Sequence, residues 1–241
     1  MPDGTTGQGI GASVLRKEDK RFLNGEGRYV ADIARPRMLE AAIVRSPVAH
    51  ANNLKIVKPD GAEKRFFTAE DMAADGVQPI HVVSKFPGHR ASDYPHLATD
   101  KARFVGEAVA VCLAETRAGA EDLAAQTGLS FDPLPAVVDM LEAVDKPPAL
   151  VHDDWDDNVI LDSRFEENVD GLANAAVSVT RTFRMNRQAV NPLEGAAVLA
   201  EWDPRDERLV VHSASQIPHI LKNALCECLE LRQNQVHVIA P

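Results

Sequence analysis

The sequence predicts an α+β protein, and three observations support this fold class. Short apolar runs with the alternation typical of β-strands recur along the chain, as in MLEAAIVRS (38–46) and ERLVVHSAS (207–215). A buried strand pattern, GEAVAVCLAE (106–115), leads directly into a helical pattern, TRAGAEDLAAQTG (116–128). Hydrophobic residues make up 45 % and charged residues 26 % of the 241 residues, a composition typical of a globular protein with its own core.

The beginning of the chain is predicted to be an arm followed by short strands. Residues 1–20 are rich in glycine and then charged, and we expect them to be extended. The GQGIGA stretch (7–12) does not predict a dinucleotide-binding loop, because no strand precedes it and its glycine spacing is wrong. After the strand at 38–46, a second short strand is expected at 54–57.

The next stretch combines a short helix with a loop. Residues 66–74 are predicted to join the end of a strand to a helix that Thr68 caps, with Asp71 as the reciprocal acid of a capping box. Residues 84–100 are polar and contain two prolines and a glycine, which predicts a long loop. Loops of this length in compact domains are often functional or bound to a partner.

The clearest unit is the strand–helix–strand pattern at 106–135, which we interpret as an α/β unit. Thr116 is suited to begin its helix and Gly128 to end it in a left-handed conformation. The second strand, within 129–135, is ended by prolines. Residues 139–158 contain Pro-Pro and the acidic run DDWDDN, which predicts a linker with a solvated acidic surface rather than a calcium loop.

The last ninety residues are predicted to be richer in strands. Strands are expected at 177–185, 195–203 and 207–215, and the DPRD turn between the last two predicts a hairpin. A helix should begin at Pro218, where the missing N–H costs nothing, and a strand should follow at 235–240. An apolar stripe on that helix is formed by Ile220, Leu221, Ala224, Leu225, Cys228 and Leu229.

Charge and cysteine content exclude several classes of protein. The net charge of −10 argues against nucleic acid or anionic membranes as the main partner. Three cysteines do not form a disulfide framework, and Cys226 and Cys228 should point to different faces of their helix as ordinary buried thiols. Neither a signal peptide nor a membrane span is predicted, and we expect a reducing, cytoplasmic location.

Three polar residues are candidates for a site or for a structural role. The chain lacks the spacing of a Ser-His-Asp triad, a P-loop, a zinc cluster or paired catalytic carboxylates. We expect His50 and Glu194 to be structural, with hydrogen bonds to the backbone or, for Glu194, an ion pair. Gln216 lies where a strand ends and a helix begins, which is where ligands collect in α/β architectures. Its amide can donate to an oxygen ligand without adding charge, or it can simply cap its helix.

A series of short motifs runs through almost the whole chain in a fixed order. They are RKED (16–19), NGEGRY (24–29) with Asp32, VRSPVAHA (44–51), LATD (97–100), VGEAVAV (105–111), AET (114–116), FDPLP (131–135), NPLEG (191–195) and SQIPH (215–219). In these motifs and their spacing the sequence resembles the large, molybdopterin-binding subunit of the xanthine dehydrogenase, aldehyde oxidase and carbon monoxide dehydrogenase family.

The resemblance implies the domain organisation and a role for Gln216. Residues 21–142 would form the family's α/β hammerhead domain, 143–158 a linker, and 159–241 the start of the first molybdopterin-binding domain, left incomplete. Gln216 aligns with the family's glutamine that donates a hydrogen bond to an oxo ligand of molybdenum. No catalytic residue and no metal ligand is expected within this chain, because the family's Gly-rich GGGFG loop and its catalytic glutamate lie further along.

The resemblance also implies a function that needs other chains. The activity would be that of a molybdenum hydroxylase, which oxidises an aldehyde or an N-heterocycle. Its molybdopterin cofactor, in the cytosine dinucleotide form, would be shared with a chain that carries the rest of the subunit. The FAD and 2Fe–2S centres would lie in separate subunits. We expect either one part of a split large subunit or a truncated product, and in both cases an inactive isolated chain. The alternative is a non-catalytic scaffold or a degenerate remnant of the same fold.

Overall fold

The computed structural model of the chain describes residue 10 and residues 12–82, 84–163 and 175–241. The chain divides into two compact units. The first unit comprises Met1–Ala34, Asn191–Leu221 and Asn234–Pro241, and the second comprises Arg35–Val190 and Lys222–Gln233. Most of the GQGIGA stretch, and residues 1–9 and 11 of the predicted arm, lie outside the described residues.

The described residues alternate strands and short helices along the chain. The strands are β1 (Glu40–Arg45), β2 (Ala51–Val57), β3 (Phe66–Thr68), β4 (Ile80–Val82), β5 (Ser92–Tyr94), β6 (Ala108–Ala114), β7 (Gly128–Pro133), β8 (Val198–Asp203), β9 (Arg208–Ser213) and β10 (Val236–Ile239). The helices are α1 (Asp19–Leu23), α2 (Ala69–Ala74), α3 (Arg117–Ala125), α4 (Met140–Asp145) and α5 (Pro218–Cys228). None of the helices in the described ranges is both long and apolar enough to cross a membrane.

The core of the second unit is built on an antiparallel sheet in the order β1–β6–β3. The alanines and valines of β6 place it in the centre, where small and β-branched side chains pack closely on both neighbours. Helix α3 covers β1 and β6, and its Ala120 is buried there. The central cluster of buried residues consists of Val44, Ala62, Phe66, Ala110 and Cys112.

A second antiparallel pair, β2 with β7, corrects two predictions about the strand–helix–strand unit. Strands β6 and β7 lie in different sheets, so the unit is not a parallel α/β crossover. The C-cap of α3 is Gln126, so the helix ends before Gly128. The φ of Gly128 is not positive, so this glycine does not adopt the predicted left-handed conformation. Instead Gly128 pairs with Val57 across the ladder, and a Cβ at this glycine would lie 3.1 Å from the Val57 Cβ. A side chain at this position would therefore crowd Val57, so the glycine is favoured by close packing rather than by a turn. Thr116 caps α3 as predicted, since its hydroxyl accepts from the Gly119 N–H at 3.1 Å.

The capping box at the start of α2 is confirmed. Asp71 Oδ2 accepts from the backbone N–H of Thr68 at 2.8 Å, and the Thr68 hydroxyl lies 3.5 Å from the Asp71 N–H. Lys58 Nζ reaches the same carboxylate at 2.9 Å. The Lys58 hydrogen bond, followed by the Thr68 N–H, holds the pKa of Asp71 below its ordinary value.

Replacing Asp71 with alanine is expected to lower the free energy of unfolding by about 1 kcal/mol at pH 7, the usual cost of a lost helix cap. Because the folded-state pKa is depressed, this stabilisation is present above the unfolded pKa, about 4, and is lost as the pH falls below it. Urea unfolding at pH 7 and pH 3 measures the difference. Glu70→Ala, at a neighbouring exposed acid, is the control, and an Asp71 effect as large at pH 3 as at pH 7 contradicts the prediction.

Two other predicted features differ in the structure of the second unit. Within the predicted loop at 84–100, β5 pairs with β4, and His81 Nδ1 lies 2.7 Å from Asp93 Oδ1. Residues 177–185 do not form a strand: every residue is exposed, and no strand in the described ranges pairs with them. The pattern of these residues is that of a strand, but a strand needs a neighbour to accept its backbone hydrogen bonds.

The predicted linker at 139–158 is also more structured than its sequence indicates. It contains α4, which Asp139 caps through the N–H groups of Leu141 and Glu142. Trp155 stacks on His152 at 4.4 Å, and the Arg90 guanidinium lies 5.3 Å from the Trp155 ring. Most carboxylates of the acidic run are exposed as predicted, yet they form ion pairs with cations of the second unit. The domain boundaries at residues 20, 142 and 158 stay a prediction.

The first unit contains a three-stranded sheet in the order β10–β9–β8. Strands β8 and β9 form the predicted hairpin, with Asp203 paired to Arg208, and the turn extends to Glu207, which has a φ of 48°. Strand β10 is parallel to β9, and the connection between them contains α5, which begins at Pro218 as predicted. Strand β9, helix α5 and strand β10 thus form a parallel crossover. The carboxyl ends of β9 and β10 lie at the same edge of the sheet.

Candidate functional site

Gln216 lies at a corner that backbone hydrogen bonds hold on both sides. The Ala214 N–H donates to the Ala197 carbonyl at 3.1 Å, which joins the end of β9 to the residue just before β8. The Ser215 N–H donates to the Ser213 carbonyl at 2.8 Å, and the Ser215 hydroxyl accepts from the Ile217 N–H at 3.2 Å. The backbone on either side of Gln216 is thus fixed by the turn itself.

The same corner is the amino end of α5. The Leu221 N–H makes a helical hydrogen bond to the Ile217 carbonyl at 3.1 Å, so the N–H groups of His219 and Ile220 belong to the first turn, which lacks helical acceptors. The helix spans eleven residues, and its dipole adds a partial positive charge at this end. Because β9 and β10 are parallel, Gln216 also follows the carboxyl end of a strand in a crossover, the usual place for a ligand in such sheets.

The side chain of Gln216 is exposed on this chain. Its amide makes no hydrogen bond to any part of the chain that the structure describes, so it does not cap its own helix. Neighbouring Ile217 is 54 % exposed, an unusual position for an isoleucine beside a helix start. The hydrogen bond to a molybdenum ligand that the resemblance implies for Gln216 stays a prediction.

The donor set at this corner fits an oxygen-rich, anionic group. It offers a neutral amide and free helical N–H groups, and both types donate to oxygen. These donors would suit the phosphate of the molybdopterin cofactor that the resemblance implies. Within the described residues, no three His, Cys, Asp or Glu side chains come together as a metal-ligand set.

Glu194 is half-buried and bonds to the backbone, which confirms the structural prediction. Its Oε1 accepts from the Val30 N–H at 3.2 Å, and Val30 itself is buried. Beside it, the Tyr29 N–H donates to Asp32 Oδ2 at 2.9 Å. The NPLEG motif thus bonds to Val30, the residue that follows the NGEGRY motif, within the first unit.

His50 is structural as predicted. It is buried, and its Nδ1 lies 2.8 Å from the Pro135 carbonyl, while the Leu134 N–H donates to the His50 carbonyl at 2.9 Å. These bonds join the VRSPVAHA and FDPLP motifs. The motifs with which the sequence resembles the family are therefore partly explained by packing within each unit.

The sequence did not reveal the buried cation of the second unit, Lys101. This lysine is only 2 % exposed, and its Nζ donates to Asp153 Oδ1 at 2.7 Å and to the Leu150 carbonyl at 3.4 Å. The Lys101 hydrogen bond lowers the pKa of Asp153. Asp153, the partner of Lys101, is the first residue of the DDWDDN run. The concentration of acids in this run is the one sequence signal that could have indicated a buried cation.

The cysteines are buried thiols, as predicted. Cys226 and Cys228 are buried although they are two residues apart on α5, and Cys112 is buried in the sheet. Burial raises the pKa of the Cys112 and Cys228 thiols, and Glu227 adds to the effect at Cys228. These thiols are therefore protonated at neutral pH and poor as nucleophiles.

Comparison with known proteins agrees with this arrangement in both halves of the chain. Residues 24–135 match the a/b hammerhead domain of aldehyde oxidase and xanthine dehydrogenase, and residues 151–241 match the molybdopterin cofactor-binding domain. The large subunit of nicotine 6-hydroxylase from Paenarthrobacter nicotinovorans is 32 % identical over 240 residues, which cover 96 % of this chain and 29 % of that protein. The carbon monoxide dehydrogenase large chain of Hydrogenophaga pseudoflava is 28 % identical, with 97 % and 31 % covered.

Solved structures show the same fold. The chain superimposes on quinoline 2-oxidoreductase from Pseudomonas putida 86 with a TM-score of 0.85 and 32 % identity, over 96 % of this chain and 30 % of that one. For the Cu,Mo-CO dehydrogenase the TM-score is 0.77 with 26 % identity, over 97 % and 31 %. The chain thus spans about 30 % of the length of these relatives. A hammerhead domain is followed by molybdopterin-binding sequence in the predicted order, and the chain belongs to the xanthine dehydrogenase, aldehyde oxidase and carbon monoxide dehydrogenase family, as the N-terminal part of a molybdopterin-binding large subunit.

Proposed function

We propose that this chain is the N-terminal part of the large subunit of a molybdenum hydroxylase that acts on an N-heterocycle. The observation that carries the proposal is the match of both domains, at 32 % identity, to a nicotine hydroxylase and to a quinoline oxidoreductase. Both of these are named for nitrogen heteroaromatic substrates. Hydroxylation of an aldehyde by the same type of centre is the alternative substrate class.

The proposed enzyme is assembled from several parts. The molybdopterin cofactor, in its cytosine dinucleotide form, supplies a two-electron redox centre when it is bound. A polypeptide that carries the rest of the large subunit holds most of the cofactor, and FAD and 2Fe–2S subunits carry electrons away. The three free thiols of this chain suit a cytoplasmic enzyme.

The contribution of this chain to catalysis is the Gln216 amide. The turn at 213–217 fixes its backbone, so only the side chain of Gln216 has to be ordered when the amide meets an oxygen acceptor. As a neutral donor it orients the acceptor without changing the net charge of the centre. Donors that act in this way on metal ligands position and tune the metal, and their removal typically costs about 10- to 100-fold in activity or metal affinity.

Gln216→Ala is expected to lower kcat of the assembled enzyme by about 10- to 100-fold, because the hydrogen bond to the metal ligand is lost. The yield of the complex should stay the same, and its molybdenum content and absorption spectrum show whether the centre is retained but altered. Gln126→Ala, at an exposed glutamine that ends α3, is the control and should leave kcat unchanged.

Co-purification from the source organism separates an enzyme component from a scaffold. A complex that contains molybdenum and a larger chain with a GGGFG loop supports the proposed function. A metal-free monomer would instead indicate a non-catalytic module of the same fold. An unchanged kcat for Gln216→Ala in a molybdenum-loaded complex would contradict the role of Gln216 but leave the proposed enzyme function standing.

A further inference from the structure

Residues 177–188 (VSVTRTFRMNRQ) alternate in sequence between mostly apolar and polar side chains, and they lie outside the helices and strands of the described chain. If the chain is extended, successive side chains point to opposite sides. The apolar face is formed by Val177, Val179, Phe183 and Met185, with Arg181 and Arg187 at the same parity. The polar face is formed by Ser178, Thr180, Thr182, Arg184, Asn186 and Gln188.

The apolar face of this segment has no cover in the described parts of the chain. Val179 is 74 % exposed, Phe183 84 % and Met185 87 %. Three large side chains in an alternating row, open to water, are far more than the scattered apolar residues normal on a monomer surface. The backbone also lacks a ladder partner in the described ranges, although its pattern is that of a strand with one buried face.

The polar face, in contrast, forms an ion pair with the start of α4 in the same unit. The Arg184 guanidinium lies 3.3 Å from Asp139 Oδ2 at the start of α4. The N–H groups of Glu142 and Leu141, with a smaller contribution from Arg184, lower the pKa of Asp139, so the carboxylate is charged. Next to this ion pair an open cleft of about 360 Å³ is lined by Val138, Met140 and residues 184–187, so both faces of the segment reach the start of α4 at this end. The segment is thus held at residues 184–187, while Val177, Val179 and Phe183 are open to water.

We infer that residues 177–185 are a docking strand, which pairs with a β-strand from the part of the large subunit that lies outside these 241 residues. The inference rests on the proposed function. It follows from length, because the relatives are about three times as long as this chain and the segment lies inside the match to the molybdopterin cofactor-binding domain. Adding a strand satisfies the free backbone groups and covers the apolar face in one step.

Charge specifies the partner strand further. Neither Arg181 nor Arg187 has an ion pair with any described residue, while the whole chain carries a net charge of −10. The partner strand therefore has apolar residues opposite Val179 and Phe183 and a carboxylate opposite Arg181. Cross-strand pairs of opposite charge stabilise a ladder, and like charges directly opposite destabilise it.

A second copy of this chain fits the segment poorly. In the antiparallel register that pairs Val177 with Met185 and Val179 with Phe183, the two Arg181 side chains stand directly opposite each other. Any shift by two residues relieves that repulsion but leaves apolar residues unpaired. The charge pattern thus favours a different strand over self-association.

Hydrogen–deuterium exchange tests the pairing directly. The amides of 177–185 should exchange at least about 100-fold more slowly in the assembled large subunit than in this chain alone, because ladder hydrogen bonds protect them. Residues 92–94, already paired in β5, provide an internal reference. Equal exchange in both samples would overturn the inference.

A pair of variants in the same segment tests which face is covered. Phe183→Glu places a charge on the apolar face and should reduce recovery of the assembled subunit at least about tenfold, since a charge would be buried. Thr182→Glu places the same charge on the opposite face and is expected to assemble normally. Equal recovery of the two variants would contradict the docking strand.

The outcomes distinguish this inference from the proposed function. If the wild-type chain assembles and carries molybdenum while Phe183→Glu does so equally well, only the docking strand is wrong. If the wild-type chain never associates with a molybdopterin-binding polypeptide, the proposed function itself fails. A dimer of this chain alone, seen by light scattering and abolished by Phe183→Glu, would show a second copy as the occupant and overturn the inference.

Discussion

Replacing Phe66 with alanine is expected to lower the free energy of unfolding of the second unit by about 4 kcal/mol, as for other buried phenylalanines. The ring is 1 % exposed and belongs to the cluster at the centre of the β1–β6–β3 sheet. Phe66 pairs with Cys112 of β6, and Lys58 Nζ lies 5.9 Å from the centre of its ring. Truncation loses apolar burial and leaves a cavity between rigid strands, which close-packed backbones fill only in part.

Urea unfolding followed by tryptophan fluorescence measures this effect. In a Trp202→Phe background, Trp155 is the remaining tryptophan, and its contact with Arg90 makes it a reporter for the second unit. Phe67→Ala is the matched control, because Phe67 is adjacent but only half-buried, so its loss should be smaller. Equal losses at the two positions would mean that Phe66 is not the anchor of this core.

Asp153→Ala is expected to cost about 3 kcal/mol of stability, because it leaves the Lys101 ammonium buried without its counter-ion. Lys101 is almost inaccessible, whereas the Asp153 side chain is 75 % exposed, so we expect the lower end of the usual range. The pKa of Asp153 is lowered in the folded state. The contribution is therefore complete above the unfolded pKa, about 4, and is lost as the pH falls below it.

Two further variants isolate the buried charge as the cause. Lys101→Met keeps most of the apolar stem and removes the ammonium, so adding it to Asp153→Ala should restore part of the lost stability. Asp154→Asn, at the adjacent acid, should change the free energy of unfolding by no more than about 0.5 kcal/mol. If the double variant is less stable than Asp153→Ala, the penalty does not come from the unpaired ammonium. The same fluorescence assay applies, since Trp155 lies two residues from Asp153.

Local signals in the sequence were sufficient where neighbouring residues determine the structure. The Thr68–Asp71 capping box, the Thr116 cap and the start of α5 at Pro218 each depend on groups within four residues. Hydrogen-bond acceptors and a fixed φ act at that range regardless of the rest of the fold. The hairpin of β8 and β9 was predictable for the same reason.

The errors occur where distant residues decide the outcome. Gly128 reads as a helix stop, but it lies in β7 opposite Val57, where a Cβ would approach the Val57 Cβ to 3.1 Å. The acidic run at 153–157 reads as solvated, but it contains the partner of a buried lysine fifty residues away. The predicted apolar stripe of α5 includes Ile220, which is 62 % exposed, while the buried Cys226 was assigned to another face. Periodicity reports what a helix or strand can bury, and not which neighbour covers it.

The candidate site depended still more on the comparison of motifs. The strand-to-helix corner at Gln216 was predictable, and the structure has it in the expected place. Nothing local distinguishes a glutamine that faces a metal ligand from one that is simply exposed. That assignment came from resemblance to a family and now rests on the kinetic test of Gln216→Ala.

The order of strands in the second unit has a consequence during protein synthesis. Strands β1 and β3 are joined only through β6, which follows both of them in the chain. At roughly 5–20 residues per second, a ribosome needs several seconds after releasing β1 to release β6. Until β6 is released, Val44 and Phe66 lack the strand against which they pack in the folded protein. Their exposed side chains are then available for chaperones to bind. If a ribosome stalls before residue 114, the product lacks all or part of β6, the central strand of this sheet.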